Sequence, residues 1–274
     1  MAADLTSSDA TPLQDPLQPE PTPAPQLEPA RPHRLRFLIV YGILGLALGA
    51  AVAGIVVFAG RAISPGPTWS AWKPSGGGLG AAKQIAEHVS GTYHLPSGQQ
   101  LVDVIAKAPS VSPSSQTIPI HYIAVRGAKG AVDQIYPVSS SDSLMYSLCG
   151  LGQACSIATG KPSIARGTLV RREILELALY TFKYVHSVKH VIAFMPPTPG
   201  SQPTLAVYLQ KSDLAPELKE PLAQTLAPRV PLPAQITAKE QETIDSTTAS
   251  RVYKFTLSQA QNGDAVLVLA PLAA

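Results

Sequence analysis

Several groups of residues have the types, though not always the spacing, that chemistry needs. Ser70, Ala71, Trp72 and Lys73 spell the SxxK pattern, in which a serine passes its proton to a lysine one helical turn on, and Ser141-Asp142-Ser143 loosely echoes the SDN element that accompanies it. That chemistry needs Ser70 at the start of a buried helix. Pro74 follows Lys73 directly, in a stretch rich in Pro and Gly, so the pattern reads as coincidence. The run CSIATGKP, from Cys155 to Pro162, approaches the phosphate loop GxxxxGK[ST]. Cys replaces its first Gly and Pro its metal-binding hydroxyl, so both the tight turn and the cation contact fail. No GxSxG elbow occurs. His88, His94, His121, His186 and His190 are scattered. His186 and His190 have the four-residue spacing at which a helix offers two ligands on one face, yet they fall where a helix should end and a strand begin. A histidine near a helix C-terminus is also favourable electrostatically, which accounts for His186 without a metal. No catalytic, cofactor or metal set emerges.

Two groupings remain. Cys149 and Cys155 flank a Gly-Leu-Gly-Gln turn and, as opposed positions of a hairpin, can meet the ~5.5 Å Cα separation of a disulfide. A structural bridge is the leading reading, beside free thiols and a redox pair; the last would call for CxxC spacing at a helix start. Arg172 and Glu176 are four residues apart on a helix that is apolar nearly all round, with Glu173 beside Glu176 and Lys183 further along. The stripe is either a solvated edge or the lining of a pocket, and in a pocket Glu176 is the first choice for a functional acid.

The elements that would position these groups can be read from pattern. A short amphipathic helix is expected over 81–89 and a long one from Ser163, as its cap, to about Tyr184. Strands are expected over 101–108, 118–125, 189–195 and 204–209. Hairpins are expected from 144–149 with 154–158, and from 251–257 with 265–269 around Asn262-Gly263. A helix over 214–226 should split at Pro221. Hairpin-paired strands with few βαβ units predict an α+β class, an antiparallel sheet packed against helices, over 81–274.

Residues 37–60, FLIVYGILGLALGAAVAGIVVFAG, are about 24 uncharged positions, a helix of about 36 Å against a ~30 Å hydrocarbon core. This reads as one transmembrane signal-anchor. Arg31, Arg34 and Arg36 precede it, against Arg61 and Lys73 after it, which places the N-terminus in the cytoplasm and the C-terminal domain outside. A cleaved signal peptide is the competing reading, but its apolar core would be shorter. Gly45, Gly49 and Ala53 line one face at the spacing of helix-dimerisation motifs, so a homodimer is a further expectation. Residues 61–80 read as a Pro/Gly linker whose Trp69 and Trp72 sit at the membrane interface.

Residues 1–36 form a disordered, Pro-rich cytoplasmic tail. From Thr11 to Pro32 a proline recurs every two to four residues, which forbids helix and sheet and favours polyproline II. Pro29-Ala30-Arg31-Pro32-His33-Arg34 matches the PxxPxR pattern bound by SH3 domains, although a solvated spacer explains it as well. Only 14% of residues are charged, well below the roughly 25% of soluble domains, which fits a chain partly in lipid. Of 21 basic and 18 acidic residues the tail holds three and five, which leaves the rest of the chain at +5, a mild and unclustered charge that argues against a nucleic-acid partner and leaves anionic headgroups or wall polymers.

The stretches 145–159, MYSLCGLGQACSIAT, and 171–184, RREILELALYTFKY, resemble uncharacterised single-pass envelope proteins of GC-rich bacteria. Abundant Ala and a single Asn, Asn262, fit such a genome. The resemblance implies no activity. The expected function is a membrane-anchored envelope protein that binds or scaffolds a partner; the alternative is a membrane-tethered extracytoplasmic enzyme without a recognisable motif.

Overall fold

The computed structural model describes residues 34–60, 68–111, 117–127 and 131–272. The Pro-rich tail before Arg34, with most of the PxxPxR match, and linker residues 61–67 lie outside them. The chain divides into two units, Met1–Ser64 and Pro65–Ala274.

In the first unit Arg34–Gly60 forms a 27-residue helix, α1. Side chains are described over 37–52, and every one of them is exposed. No helix among the described residues is long and apolar enough to cross a membrane. No atom outside the helix lies within 4 Å of where a Cβ would stand at Gly45 or Gly49; the side chain of Ala53 is not among those described.

The second unit is α+β. Its strands are β1 (Asp103–Lys107), β2 (Ser110–Val111), β3 (Ile118–Val125), β4 (Gln134–Pro137), β5 (Ser143–Cys149), β6 (His190–Phe194), β7 (Leu205–Gln210), β8 (Val252–Gln259) and β9 (Ala265–Pro271). Its helices are α2 (Gly78–Ser90), α3 (Ile164–Tyr184), the single turn α4 (Leu222–Thr225) and α5 (Ala238–Thr248). One sheet runs β1-β5-β6-β7-β8-β9-β3-β2, with β4 paired to β3. The expected antiparallel sheet is in fact mixed: β5 and β6 are parallel, joined through α3 as a βαβ unit, and β3 and β9 are parallel as well.

The expected hairpin of 144–149 with 154–158 does not form. Strand β5 gives one edge to β1 and the other to β6, which leaves none for a returning strand. The chain instead makes a tight 3-10 turn, Gln153–Cys155, with Ala154 and Cys155 at φ of 50° and 61°. The helix expected over 214–226 is reduced to a 3-10 turn and α4, because Pro216 as well as Pro221 interrupts it.

Side chains alternate along the central strands and feed two cores. Val191, Ala193, Val207 and Leu209 pack with α2 and α3 on one face. Met145, Ile192, Ala206 and Tyr208 point to the other, where they meet Ile120 and Ile123 of β3 and Leu267 and Leu269 of β9. Ile120 and Ile123 share a face despite their odd separation because the β3–β9 register shifts between Ile120 and Tyr122. In a flat sheet four strand spacings of about 4.8 Å would hold β4 roughly 19 Å from β7. The rings of Tyr136 on β4 and Tyr208 on β7 are 5.8 Å apart. The sheet therefore curls, so that helices cover one half and the sheet's own far strands cover the other.

Candidate functional site

Helix α3 is the spine of the site. The Ser163 hydroxyl accepts from the Arg166 amide and starts it. Arg172 is wholly buried and each of its three nitrogens donates a hydrogen bond. Its Nε donates to Glu240 Oε1 at 2.8 Å, Nη1 to the Tyr93 hydroxyl and to Glu176 Oε2 at 3.2 Å, and Nη2 to the Ala227 carbonyl at 2.7 Å. The Tyr93 hydroxyl donates to Glu176 Oε2 at 2.6 Å, and Glu240 Oε1 also accepts from the Ala227 amide at 2.9 Å. One guanidinium thus ties together α3, α5, the loop after α2 and the loop after α4. Burial opposes its charge, but Tyr93, Glu176 and Glu240 around it more than offset that and raise its pKa. Of the two alternatives for the polar stripe, Arg172 belongs to a buried network and Glu176 opens on a cavity.

That cavity, about 660 Å³, has the segment 68–72 as one wall and 221–230 as the other. The first wall, read from sequence as linker, is laid over α2 and α3 as a strap. Trp72 stacks on His88 of α2 with centroids 3.9 Å apart, and Tyr180 of α3 meets both indoles edge-on, each at 5.5 Å. The strap is fixed by polar contacts as well. The Ser75 amide donates to Gln84 Oε1 at 2.8 Å, the Ser70 hydroxyl pairs with the Tyr184 hydroxyl at 2.7 Å, and the Leu222 amide donates to the Trp69 carbonyl at 2.8 Å. That last bond joins the two walls. Trp69 and Trp72, expected at a membrane interface, are placed against the core of the domain, half-buried.

Burial sets the titration of the cavity groups. It pushes the Glu176 carboxyl up, against the opposing pull of its bonds from Tyr93 and Arg172, and lowers the His88 imidazole, which favours its neutral form. The Tyr180 phenol is pushed up to about 12, first by burial and then by Glu176. Glu173, one residue from Arg172, is fully buried with neither carboxylate oxygen partnered among the described residues, and burial holds its pKa well above the carboxylate range.

The other sequence candidates fall away from the site or take plain roles. The Ser70 hydroxyl is occupied by the Trp72 carbonyl and Tyr184, so the SxxK serine is not poised for proton transfer. His190 lies on β6, with its Nδ1 2.8 Å from the Tyr208 hydroxyl, and His186 lies in the turn after α3, so no helix presents the pair. Among the described residues no group of three or more His, Cys, Asp or Glu could hold a metal. Cys149 and Cys155 are disulfide-bonded, with Cα atoms 4.3 Å apart, in the connection from β5 to α3. A second cavity of about 260 Å³, lined by Tyr136, Tyr208 and Tyr253, opens where the sheet curls, but its Arg251 and Asp213 neutralise each other at 3.0 Å.

Sequence reading missed Tyr93, His88, Tyr180 and Glu240 as parts of the site. Glu240 carried a signal: Thr237 followed three residues later by Glu240 is a capping-box pattern. Thr237 does cap α5, accepting from the Glu240 amide, while the Glu240 side chain is diverted inward to Arg172. Against known proteins, the chain matches no family model, no curated relative and no solved structure.

Proposed function

We propose that this chain is a single-pass, membrane-anchored binding protein of the cell envelope, which takes a ligand into the cleft between its strap and the 221–230 loop. In this reading α1 is the anchor, the tail is cytoplasmic and the α+β domain lies outside. The observation that carries the binding function is the cleft itself. Two indoles and a tyrosine wall a concave space to which Glu176, His88 and Arg229 bring titratable groups and Ser70 and Thr92 hydroxyls, the combination of apolar walls and few placed polar groups that ligand sites share. The anchor rests on the uncharged run 37–60, and the Cys149–Cys155 bond favours an oxidising compartment. Gly45 and Gly49, open at their Cβ positions, leave a face on which two anchors can pair.

A carboxyl with a raised pKa in a cleft is also what an acid catalyst requires, and this is the one observation in favour of a tethered enzyme. The cavity brings no nucleophile within hydrogen-bond reach of a base beside it: Ser70 is tied to Tyr184, and the His88 ring is stacked on Trp72. Binding is the better reading. Ala223 lines the cavity and is exposed, so Ala223→Trp fills the space without touching the Arg172 network. Ligands found by thermal shift against the wild-type chain should lose their effect on this variant; ligands that stabilise both equally bind elsewhere, and the cleft is then not the site. A reporter active only in the cytoplasm, fused after Ala274, should stay silent; activity would invert the topology.

A further inference from the structure

We infer that the cleft is selective for an organic cation, an alkylammonium group, held between the aromatic walls and the free oxygen of Glu176. The inference rests on the binding reading above and adds the chemical class of the ligand. Glu176 lines the cavity, and both of its protein contacts, from Tyr93 and from Arg172, go to Oε2. Oε1 accepts no hydrogen bond from any described residue. The charge around it does not balance either: Arg172 is a single guanidinium facing two carboxylates, Glu176 and Glu240, at 3.2 and 2.8 Å. Glu176 therefore has one oxygen free and shares its cation with a second carboxylate, so a ligand that brings a positive charge supports the ionised form that burial disfavours. Among the described lining residues Arg229 is exposed and His88 is biased to its neutral form, while Lys183, which does not line the cavity, donates to the Leu218 carbonyl at 2.9 Å.

The walls favour the same ligand. Indole and phenol rings attract a cation through their quadrupole, and a weakly hydrated ammonium loses little on entering an apolar cleft that ends in a carboxylate. The protein already uses this interaction within the same aromatic cluster: Lys183 Nζ stands 5.3 Å from the centre of the Trp69 ring. An anion would meet the unbalanced carboxylate, and a neutral apolar ligand would leave Oε1 unpaired. An ammonium group satisfies both walls and floor.

Trp69 and Trp72 are the only tryptophans in the chain, and both line the cleft, so intrinsic fluorescence reports on this site alone. The full chain in maltoside detergent should show a saturable change in emission with choline. Its neutral isostere, 3,3-dimethylbutan-1-ol, should bind at least about tenfold more weakly. Glu176→Gln should remove that preference, and because choline and the alcohol are compared on the wild-type chain, the conclusion survives a variant that folds poorly. Equal binding of the two would overturn the cation assignment and leave a merely apolar cleft. No response of the wild-type chain to either would also overturn the cation assignment, while the thermal-shift comparison with Ala223→Trp decides the binding reading separately. Nanodiscs of phosphatidylglycerol with and without phosphatidylethanolamine separate the sources of the ammonium. A choline response suppressed by phosphatidylethanolamine assigns it to a lipid headgroup, and an unchanged response assigns it to a soluble ligand or side chain.

Discussion

Helices α1 and α3 are the two long apolar helices of the chain, 27 and 21 residues, and they meet opposite conditions. Every described side chain of α1 is exposed, whereas 14 residues of α3 are buried by the sheet and by α2 and α5. The lesson is in the polar residues. Helix α3 carries Arg172, Glu173 and Glu176 into the interior, because a folded domain can supply Glu240, Tyr93 and the Ala227 carbonyl to receive them. Over Phe37–Val52, where the side chains of α1 are described, there is no charged residue. Apolar content alone does not distinguish a core helix from an anchor. What distinguishes them is whether the polar residues present have partners supplied from elsewhere in the fold.

Four experiments test that contrast. Deleting 37–60 should release the domain from carbonate-washed membranes completely; continued retention would mean that α1 is not what holds it. Arg172→Ala should cost about 3–5 kcal/mol, because it leaves Glu240 and Glu176 buried without their cation, and denaturant melts read it directly. A loss under 1 kcal/mol would show that the network contributes little. Removing the bridge that sets the approach of α3, by Cys149→Ser with Cys155→Ser, should cost about 2–2.5 kcal/mol for so short a loop. The smallest effect is a gain. Glu173 favours its protonated form in the folded chain, so it stabilises fully below the ordinary carboxyl pKa, and that contribution is lost as pH rises towards its raised value. The charges nearest to it are Glu176, which raises it further, and Arg172, which opposes. Glu173→Gln should therefore match wild type near pH 4 and be more stable by about 1–2 kcal/mol at pH 8. Parallel pH profiles for the two proteins would show that Glu173 has a partner in solution.

How much of this could be read from sequence depended on the range of the cause. Strand β3 over 118–125 and helix α3 from its Ser163 cap have local causes, β-branched alternation and a capping serine, and both are found as expected. Helix α5 was not read at all: Ile244 is its only buried aliphatic residue, so it carries almost no apolar period. The 154–158 strand was read from local pattern, but whether it pairs depends on β1 and β6 having already taken both edges of β5. The same holds for the site. Arg172 and Glu176 showed in the spacing of one helix, whereas Tyr93, His88 and the strap reach it through contacts that no window of sequence contains.

Strand β9 sits between β8 and β3, hydrogen-bonded to both. The far half of the sheet therefore cannot close until residues 265–271 have been synthesised, however early 78–210 emerge. By threading β9 into the interior of the sheet, the topology makes completion wait for residues that emerge after all the other described strands.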